Sequence, residues 1–385
     1  MRVLRPILQY LKETDKLYWL LMITISSYSL LLLKTVPSPA DKKLSYFAVQ
    51  LIAIALGYFG AILFSLIDYH ELTSYWYIIA GFCIFLIIYT QIFGTSVVSS
   101  GGINAKAWIK LPGGMTFQPS ELVKIGFILT FAKHVSVLEE RGLLKSFVNV
   151  ALLALHAGIP VILVHFQGDD GSAIIFFCMF LVMAFGAGIQ LRYFAAVFAG
   201  LAIGFPVAWK TGILAPYQKE RLTTFLHPED SLKYGGWQQV QGQLSIGSGG
   251  LWGRGLFNSN TRVAKSSVPV QQSDFIFSVA GELLGFVGCA LIIVLLALLL
   301  LRTLRTARRA GDMMGSTICL GFFGMIMAQT LFNLGMCLNL LPVMGVTLPF
   351  FSAGGSSASC LYFGFGLVLN VYMHKLAPDK VNLRL

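Results

Sequence analysis

Long apolar runs recur along almost the whole chain of 385 residues, and they constrain its fold more than any other feature. A helix needs about 20 mostly apolar residues to cross the roughly 30 Å hydrocarbon core of a bilayer. Ten runs of about that length occur, at 17–34, 45–67, 75–93, 119–138, 146–165, 172–190, 192–209, 275–301, 314–338 and 351–374. Lipid offers no partner for an unpaired backbone group, so each run is predicted to be a helix. The predicted fold class is an all-α polytopic membrane protein with about ten transmembrane helices.

The composition agrees with this class, because 56% of the residues are hydrophobic and only 12% are charged. Such a balance excludes an ordinary soluble globule. We predict one integral membrane domain over residues 1–385. Its only long polar segment, 210–273, lies between the seventh and eighth predicted helices and is predicted to be a large extracellular loop.

The formal net charge of +11 could indicate a nucleic-acid partner, but its distribution indicates a membrane surface instead. Lys and Arg collect at the N-terminus and in alternate short connections, and they are sparse in the connections between those. This is the positive-inside pattern. It predicts a multi-pass protein of the cell membrane with both termini in the cytoplasm, and no nucleic-acid partner.

Two carboxylates mark the start of the eighth run. Asp274 lies where the polar segment meets the apolar run, and Glu282 follows eight residues later. In a helix this spacing is about 12 Å along the axis and returns to nearly the same face. Ionisable residues within membrane spans usually face a cavity or a partner. The alternative is a helix N-cap at Ser273 or Asp274 together with one paired glutamate.

Three further acidic residues lie near the predicted outer ends of helices. Glu121 and Lys124 are three residues apart in the first turns of the fourth run, and they form either an ordinary interfacial pair or part of a site. Asp169 and Asp170 lie in a very short loop, as either a solvated turn with a helix cap or site residues. The histidines show no metal-ligand spacing and are interpreted as structural.

The polar segment 210–273 is rich in glycine, but its spacing fits neither GxGxxG nor a P-loop, so nucleotide binding is rejected. Long loops in compact proteins are usually functional. Arg221 and other basic residues in this segment suit an anionic ligand. The odd-numbered connections are all predicted to be outside, so Trp108, Glu121, Asp169, Asp170, Arg221 and Asp274 should converge on one polar cavity that opens outward.

Several of these stretches also carry a family resemblance. They are Asn104 to Ile109, FQPSELVKI at 117–125, QGDDGSA at 167–173, YQKERLTTFLHPED at 217–230, GQLSIGSGGLWGRG at 242–255, SDFIFSVAGELLGFVG at 273–288 and LPVMGVTLPFFSAGGSS at 341–357. In this order the chain resembles the SEDS family (shape, elongation, division, sporulation), and within it the RodA-like members more than the FtsW-like or SpoVE-like ones. The similarity covers nearly the whole chain.

The resemblance implies a peptidoglycan glycosyltransferase that polymerises lipid II at the outer face of the cytoplasmic membrane, for cell elongation and shape or for division. It implies a class B penicillin-binding protein, a transpeptidase, as partner, with lipid II, the undecaprenyl-pyrophosphate-linked glycan and membrane lipids as further binding partners. The essential aspartate of the family's DFIF motif corresponds to Asp274, its Glu/Lys pair to Glu121 and Lys124, and its loop tryptophan to Trp108. The predicted substrate-binding residues are Trp108, Lys106, Arg221, Asp169, Asp170, Glu282 and Ser356.

This chain departs from the family pattern at three places. A basic residue usual just before the tryptophan is displaced to Lys106. Val270 follows Pro269 where the family often has glutamate, and Ala353 stands where it often has tyrosine. These departures bear on the subfamily more than on the activity.

The chemistry also suits the residues themselves. Chain growth requires an acceptor hydroxyl to attack the anomeric carbon of a donor whose leaving group is a lipid pyrophosphate. An inverting displacement needs one general base, and Asp274 is the best placed. Arg221 could hold the pyrophosphate through bidentate contacts. No cofactor is predicted with certainty; a divalent cation, Mg²⁺ or Mn²⁺, could assist departure, although no metal-binding motif supports it.

Two alternative functions come from other classes. A transporter (flippase) of lipid II would also need many spans, an ionisable cavity and interrupted helices. It predicts essential charges at mid-membrane and access from both faces. A non-catalytic scaffold of a cell-wall synthase predicts that Asp274 is dispensable.

Overall fold

The computed structural model describes residues 10–38, 44–98, 104–110, 116–212, 214–226 and 235–374. The two chain ends predicted to be cytoplasmic and the last four residues of the 217–230 motif lie outside these ranges. The described helices are α1 (Lys16–Thr35), α2 (Tyr46–Leu66), α3 (Tyr69–Ser74), α4 (Trp76–Phe93), α5 (Pro119–Glu140), α6 (Phe147–Phe166), α7 (Asp170–Gly186), α8 (Leu191–Thr211), α9 (Pro216–Leu226), α10 (Gly235–Gly249), α11 (Ile276–Arg308), α12 (Met313–Cys337) and α13 (Gly355–His374).

Each of the ten predicted spans overlaps one of these helices. Eight of them, α1, α2, α4, α6, α8, α11, α12 and α13, are long and apolar enough to cross a membrane. The other two are α5, whose charged residues lower its hydropathy, and α7, which has 17 residues. The prediction of an all-α polytopic membrane protein is confirmed.

Several helices begin with an aspartate whose side chain caps the first turn. The N–H groups of Tyr18, Ser172 and Gly315 donate to the side chains of Asp15, Asp169 and Asp312 at 3.1, 3.0 and 2.7 Å. Each bond satisfies one of the backbone donors that a helix leaves unpaired at its N-terminus.

A small antiparallel sheet departs from the purely helical expectation. Strands β1 (Thr95–Val98), β2 (Asn104–Lys110) and β3 (Thr116–Phe117) pair in the order β1-β2-β3 between α4 and α5. Along β2 the side chains of Ala105 and Ala107 are buried while that of Lys106 is exposed. This alternation with period two is a strand pattern, but it is too short to stand out beside the long apolar runs.

The 210–273 segment is more ordered than the predicted large loop. It contains α9 and α10, and α10 packs against α11. Gln238, Gln239 and Ser245 of α10 are buried, and the Gln239 side chain donates to the Leu341 carbonyl at 2.9 Å. Polar residues of this segment are therefore packed inside the protein, and Gln239 connects α10 to the chain after α12.

Helix α11 is interrupted at Gly285, whose φ of 67° and ψ of −159° are not helical. The chain after α10 makes bonds there that an unbroken helix would make internally. The Glu282 carbonyl accepts from the Arg254 N–H at 2.9 Å. In an unbroken helix the Phe286 N–H would bond to the Glu282 carbonyl, but here it donates to the Gly250 carbonyl at 2.9 Å. Because of the interruption, hydrogen bonds hold the 250–255 turn against the first turns of α11.

Close helix contacts form the core. A Cβ on Gly57 of α2 would overlap the Tyr362 ring of α13, and one on Gly366 would overlap the Ala61 backbone of α2. Small residues of this kind let membrane helices approach closely. In contrast α8, described over its full length, has no buried side chain.

Candidate functional site

Asp274 lies in the turn immediately before α11 and is only 7% exposed. Its carbonyl accepts from the Asn333 side chain of α12 at 2.8 Å. The preceding carbonyl, of Ser273, accepts from the Ser352 hydroxyl at 2.5 Å. Since the backbone is held on both sides, the carboxyl group has a fixed position in the protein.

Burial raises the pKa of the Asp274 carboxyl to about 6. A hydrogen bond from the Ser273 side chain and the positive charge of Arg221 oppose this rise. Removal from water disfavours the ionised form, whereas a nearby cation favours it. The result is a carboxyl group that loses its proton just below neutral pH, as a general base at neutral pH should.

Arg221 acts on Asp274 from α9, where it is half-buried, and its guanidinium lies 5.8 Å from the centre of the Tyr217 ring. Asp170 of α7 connects α9 to the helix bundle through hydrogen bonds. One carboxylate oxygen of Asp170 accepts from the Tyr217 hydroxyl at 3.2 Å and from the Gln218 side chain at 3.0 Å. The other lies 2.6 Å from His165 Nδ1. Asp170 therefore positions the helix that carries Arg221.

Asp169 joins three helices that the sequence separates widely. It caps α7, which was one of the two interpretations of this loop, and its second oxygen accepts from the Gln118 side chain at 2.7 Å. The Gln118 N–H in turn donates to the Ser356 hydroxyl at 3.1 Å. Asp169 and Ser356 thus meet at the start of α5.

Glu121 and Lys124 form a buried ion pair. Lys124 Nζ lies 2.8 Å from Glu121 Oε1, and the two side chains are 1% and 6% exposed. The second oxygen of Glu121 is buried and, within the described ranges, has no hydrogen-bond partner. This pair occupies the first two turns of α5, directly after Gln118.

Glu282 is fully buried, and its carboxylate binds the protein's own backbone. Its two oxygens accept from the N–H groups of Arg262 and Val263 at 2.7 and 3.0 Å. The Arg262 side chain also donates to Gln241 of α10 at 2.6 Å. Glu282 was predicted to bind substrate, but in this structure its carboxylate holds the turn that precedes Asp274.

Lys106 and Trp108 lie on β2. The Lys106 N–H donates to the Gln167 carbonyl at 3.1 Å, so the strand is joined to the turn that contains Asp169 and Asp170. The Lys106 side chain is exposed and that of Trp108 is half-buried. Among the described residues, neither side chain hydrogen-bonds to the networks around Asp169 and Glu282.

Three amide residues of this region were missed as site residues in the sequence. Gln118 links Asp169 to Ser356, and Asn333 holds the backbone at Asp274. The side chain of buried Gln167 donates to the Ile87 carbonyl of α4 at 2.7 Å. Each lies in or beside an apolar run, and a polar amide there needs a partner because an unpaired one is costly. An amide side chain in or beside an apolar run was therefore the sequence signal that could have identified these residues.

The described ranges contain no group of three or more His, Cys, Asp or Glu side chains arranged to hold a metal ion. The charged group that acts on Asp274 is Arg221, not a second carboxylate. The arrangement offers a proton acceptor within the electrostatic influence of a guanidinium that can bind a phosphate. This combination suits a displacement with an anionic leaving group.

A family model described as "Cell cycle protein", for FtsW, RodA and SpoVE, matches residues 14–376. Stage V sporulation protein E of Bacillus subtilis (strain 168) is 33% identical over 84% of this chain and 85% of its own length. Peptidoglycan glycosyltransferase MrdB of Escherichia coli (strain K12) is 32% identical over 81% of this chain and 80% of its own. A probable peptidoglycan glycosyltransferase FtsW of Trichlorobacter lovleyi is 30% identical over 96% of both.

Solved structures show the same fold. A chain from a structure described as "Structural coordination of polymerization and crosslinking by a peptidoglycan synthase complex" is 30% identical, with a TM-score of 0.79 over 94% of this chain and 98% of that one. The rod shape determining protein RodA of Thermus thermophilus is 27% identical, with a TM-score of 0.68 over 94% and 98% of the two chains.

Proposed function

This chain belongs to the family of cell cycle proteins that comprises FtsW, RodA and SpoVE, and we propose that it polymerises lipid II with Asp274 as general base. Its activity is that of a peptidoglycan glycosyltransferase, as in relatives that match it over most of their length. The observation that carries the assignment to Asp274 is its buried carboxyl group, on which the charge of Arg221 acts and whose pKa is raised to about 6.

The reaction joins an acceptor sugar hydroxyl to the anomeric carbon of a donor. As the new bond between oxygen and carbon forms, the bond between that carbon and the lipid pyrophosphate breaks. The hydroxyl proton passes to Asp274, and the electron pair of the broken bond leaves with the pyrophosphate. Arg221 stabilises the charge that develops on the pyrophosphate, because a guanidinium binds phosphate oxygens through paired hydrogen bonds.

The neighbouring residues divide into two groups. Asp169, Asp170 and Glu282 are engaged by the protein, so they position α7, α9 and the turn before Asp274. Lys106 and Trp108 on β2 and Ser356 at the start of α13 remain candidates for substrate contact. The Glu121–Lys124 pair keeps the start of α5 in place beside them.

The reaction centre faces outside the cell in this proposal, and both termini are cytoplasmic. The support is the asymmetry of Lys and Arg, which places the basic connections at the end of the bundle away from Asp274. Outside is also where a lipid-linked precursor would be joined to growing cell wall.

We further propose a class B penicillin-binding protein as partner. The support is the similar chain that comes from a peptidoglycan synthase complex with both polymerisation and crosslinking. Co-purification of such a transpeptidase with the full chain from detergent would support the pairing. Polymerisation at full rate, unaffected by any such partner, would count against a coupled synthase.

The test measures polymer formed from labelled lipid II by wild type and Asp274→Asn at equal folded concentration. The variant keeps the size of the side chain but cannot accept the proton, so it should fold and yet form polymer about 100- to 10,000-fold more slowly. Glu139→Gln, the same chemical change at an exposed site at the far end of α5, is the matched control and should leave the rate unchanged.

Near-normal polymer from Asp274→Asn would refute the base assignment. The two alternatives make different predictions for the same material. A transporter would move labelled lipid II across vesicles without polymerising it. A scaffold would polymerise nothing alone and would tolerate Asp274→Asn in cells.

A further inference from the structure

A basic groove lies at the end of α11 farthest from Asp274. It is a shallow, open surface groove lined by Arg302, Arg305, Thr306, Arg309, Val371 and Tyr372. The first three belong to the last turns of α11, Arg309 follows directly as its C-cap residue, and the other two belong to the last turn of α13. The groove is therefore built from two helices of the bundle.

The spacing of the arginines places them on one face of α11. Residues three apart in a helix lie one above the other, so Arg302 and Arg305 point to the groove, and Arg309, directly after the helix, also lines it. Arg308 belongs to the same turns but does not line it. Three guanidinium groups thus converge on one concave surface.

One carboxylate neutralises part of this charge. Arg302 Nε lies 2.6 Å from Asp15 Oδ2, and the Asp15 side chain is 2% exposed. Asp15 is itself fixed as the N-cap of α1, and the hydroxyls of Tyr18 and Thr303 lie 2.6 Å apart. Arg302 is therefore paired with a carboxylate, while Arg305 and Arg309 are exposed.

The groove also adjoins a lipid-facing surface. Helix α11 is apolar without interruption from Leu283 to Leu301, and the side chains of Leu298 and Leu301 are 45% and 62% exposed. The arginines begin at the next residue, so they lie at the level where the apolar surface ends. A ligand that carries both an acyl chain and an anionic group would fit this junction.

We infer that the groove binds the phosphodiester of an anionic phospholipid in the leaflet at this end of the bundle. Basic pockets between transmembrane helices bind anionic lipid headgroups, and each arginine near the surface strengthens binding. Arg305 and Arg309 bind the phosphate oxygens, and the acyl chains lie along the exposed leucines. This site is separate from the proposed glycosyltransferase centre, and its test needs no enzymatic activity.

The experiment uses native mass spectrometry on the full chain, released from mixed micelles that contain either phosphatidylglycerol or phosphatidylcholine. Wild type should retain phosphatidylglycerol in preference to phosphatidylcholine. Arg305→Gln and Arg309→Gln should each weaken that retention about fivefold. Arg308→Gln removes the same charge from the same turns but not from the groove, and it should retain the lipid as wild type does.

A second arm adds inorganic phosphate at the concentration of the lipid, which should not displace phosphatidylglycerol. Displacement would show a site for free phosphate and overturn the lipid assignment. Equal loss in Arg308→Gln, or equal retention in all variants, would show that general surface charge and not this groove holds the lipid. Melting curves in lipid-free detergent confirm that each variant is folded.

Discussion

The burial of Asp274 disfavours ionisation of its carboxyl group, yet it also gives the group the raised pKa that the proposed catalysis uses. A carboxyl group that is 7% exposed has lost most of its contact with water, and this disfavours its charged form. The Ser273 hydrogen bond and the Arg221 charge recover only part of that loss, because the pKa of the group is still raised to about 6. A group that gives up its proton with difficulty also takes one readily, which is the property a general base needs.

The rate of polymerisation should therefore depend on pH through Asp274. The base acts while ionised, so the rate should fall as the pH decreases through about 6 and approach a plateau above it. An unperturbed aspartate, with a pKa near 3.9, would keep the plateau down to about pH 5. Initial rates from labelled lipid II between pH 4.5 and 8 measure this. A rate that is constant down to pH 5 would contradict the proposed role of burial.

The Glu121–Lys124 pair leads to a prediction about stability. Glu121→Gln leaves the buried Lys124 ammonium without its partner carboxylate, and breaking a buried pair on one side costs about 3–5 kcal/mol. Thermal unfolding in detergent should show a much less stable protein. The double variant Glu121→Leu/Lys124→Leu removes both charges and should be more stable than Glu121→Gln. Unchanged melting of the single variant would refute the pair's structural role.

At the scale of elements, the interruption in α11 decides where Asp274 lies. The 250–255 turn bonds to the helix only because Gly285 leaves the helical conformation, and its φ of 67° with ψ of −159° is a region open essentially to glycine alone. A Cβ there would also overlap backbone atoms of Leu251 and Gly253. Glu282 holds the next turn, 262–263, from the same short part of α11.

Gly285→Ala should accordingly destabilise the protein by about 2 kcal/mol or more and loosen the 250–255 turn. Unfolding in detergent measures the first effect, and faster amide hydrogen exchange in 250–255 measures the second. Gly81→Ala is the control. Gly81 lies inside α4 with no atom within 4 Å of an added Cβ, so alanine there should be neutral or stabilising by up to about 1 kcal/mol. Equal behaviour of the two variants would contradict this account of the interruption.

Elements of membrane length could be predicted because a single physical requirement defines them. A run of about 20 apolar residues has few alternatives to a helix in lipid. A helix cap in the Asp169–Asp170 loop was also one of the two sequence interpretations, and Asp169 does cap α7. No such requirement defined α10 or the β1-β2-β3 sheet. Gln238 and Gln239 lie in the segment predicted to be a large extracellular loop, and their burial depends on packing against helices that no local pattern indicates.

The site was predictable in its location but not in its contacts. Charged residues at the ends of odd-numbered connections indicated one common end of the bundle, and Asp274 was prominent there because an apolar run follows it. Which oxygen bonds to which donor depends on how the helices are packed. Glu282 binds the 262–263 backbone, and Gln118 reaches Asp169 and Ser356, through approaches that no spacing in the sequence encodes. The assignment to RodA-like rather than FtsW-like members stays a prediction.

At the scale of the whole molecule, the proposed chemistry requires one particular orientation in the membrane. Ser259 lies on the Asp274 side of α11 and Arg141 in the turn between α5 and α6, and both are exposed. The native cysteines are buried, apart from the half-buried Cys178, so a thiol reagent should label the wild-type protein only weakly. A membrane-impermeant maleimide applied to intact cells should label Ser259→Cys at once and Arg141→Cys only after the cells are opened. The reverse pattern would place Asp274 and Arg221 in the cytoplasm, and a polymerase that builds the wall outside would then have its base and its pyrophosphate ligand on the wrong side of the membrane.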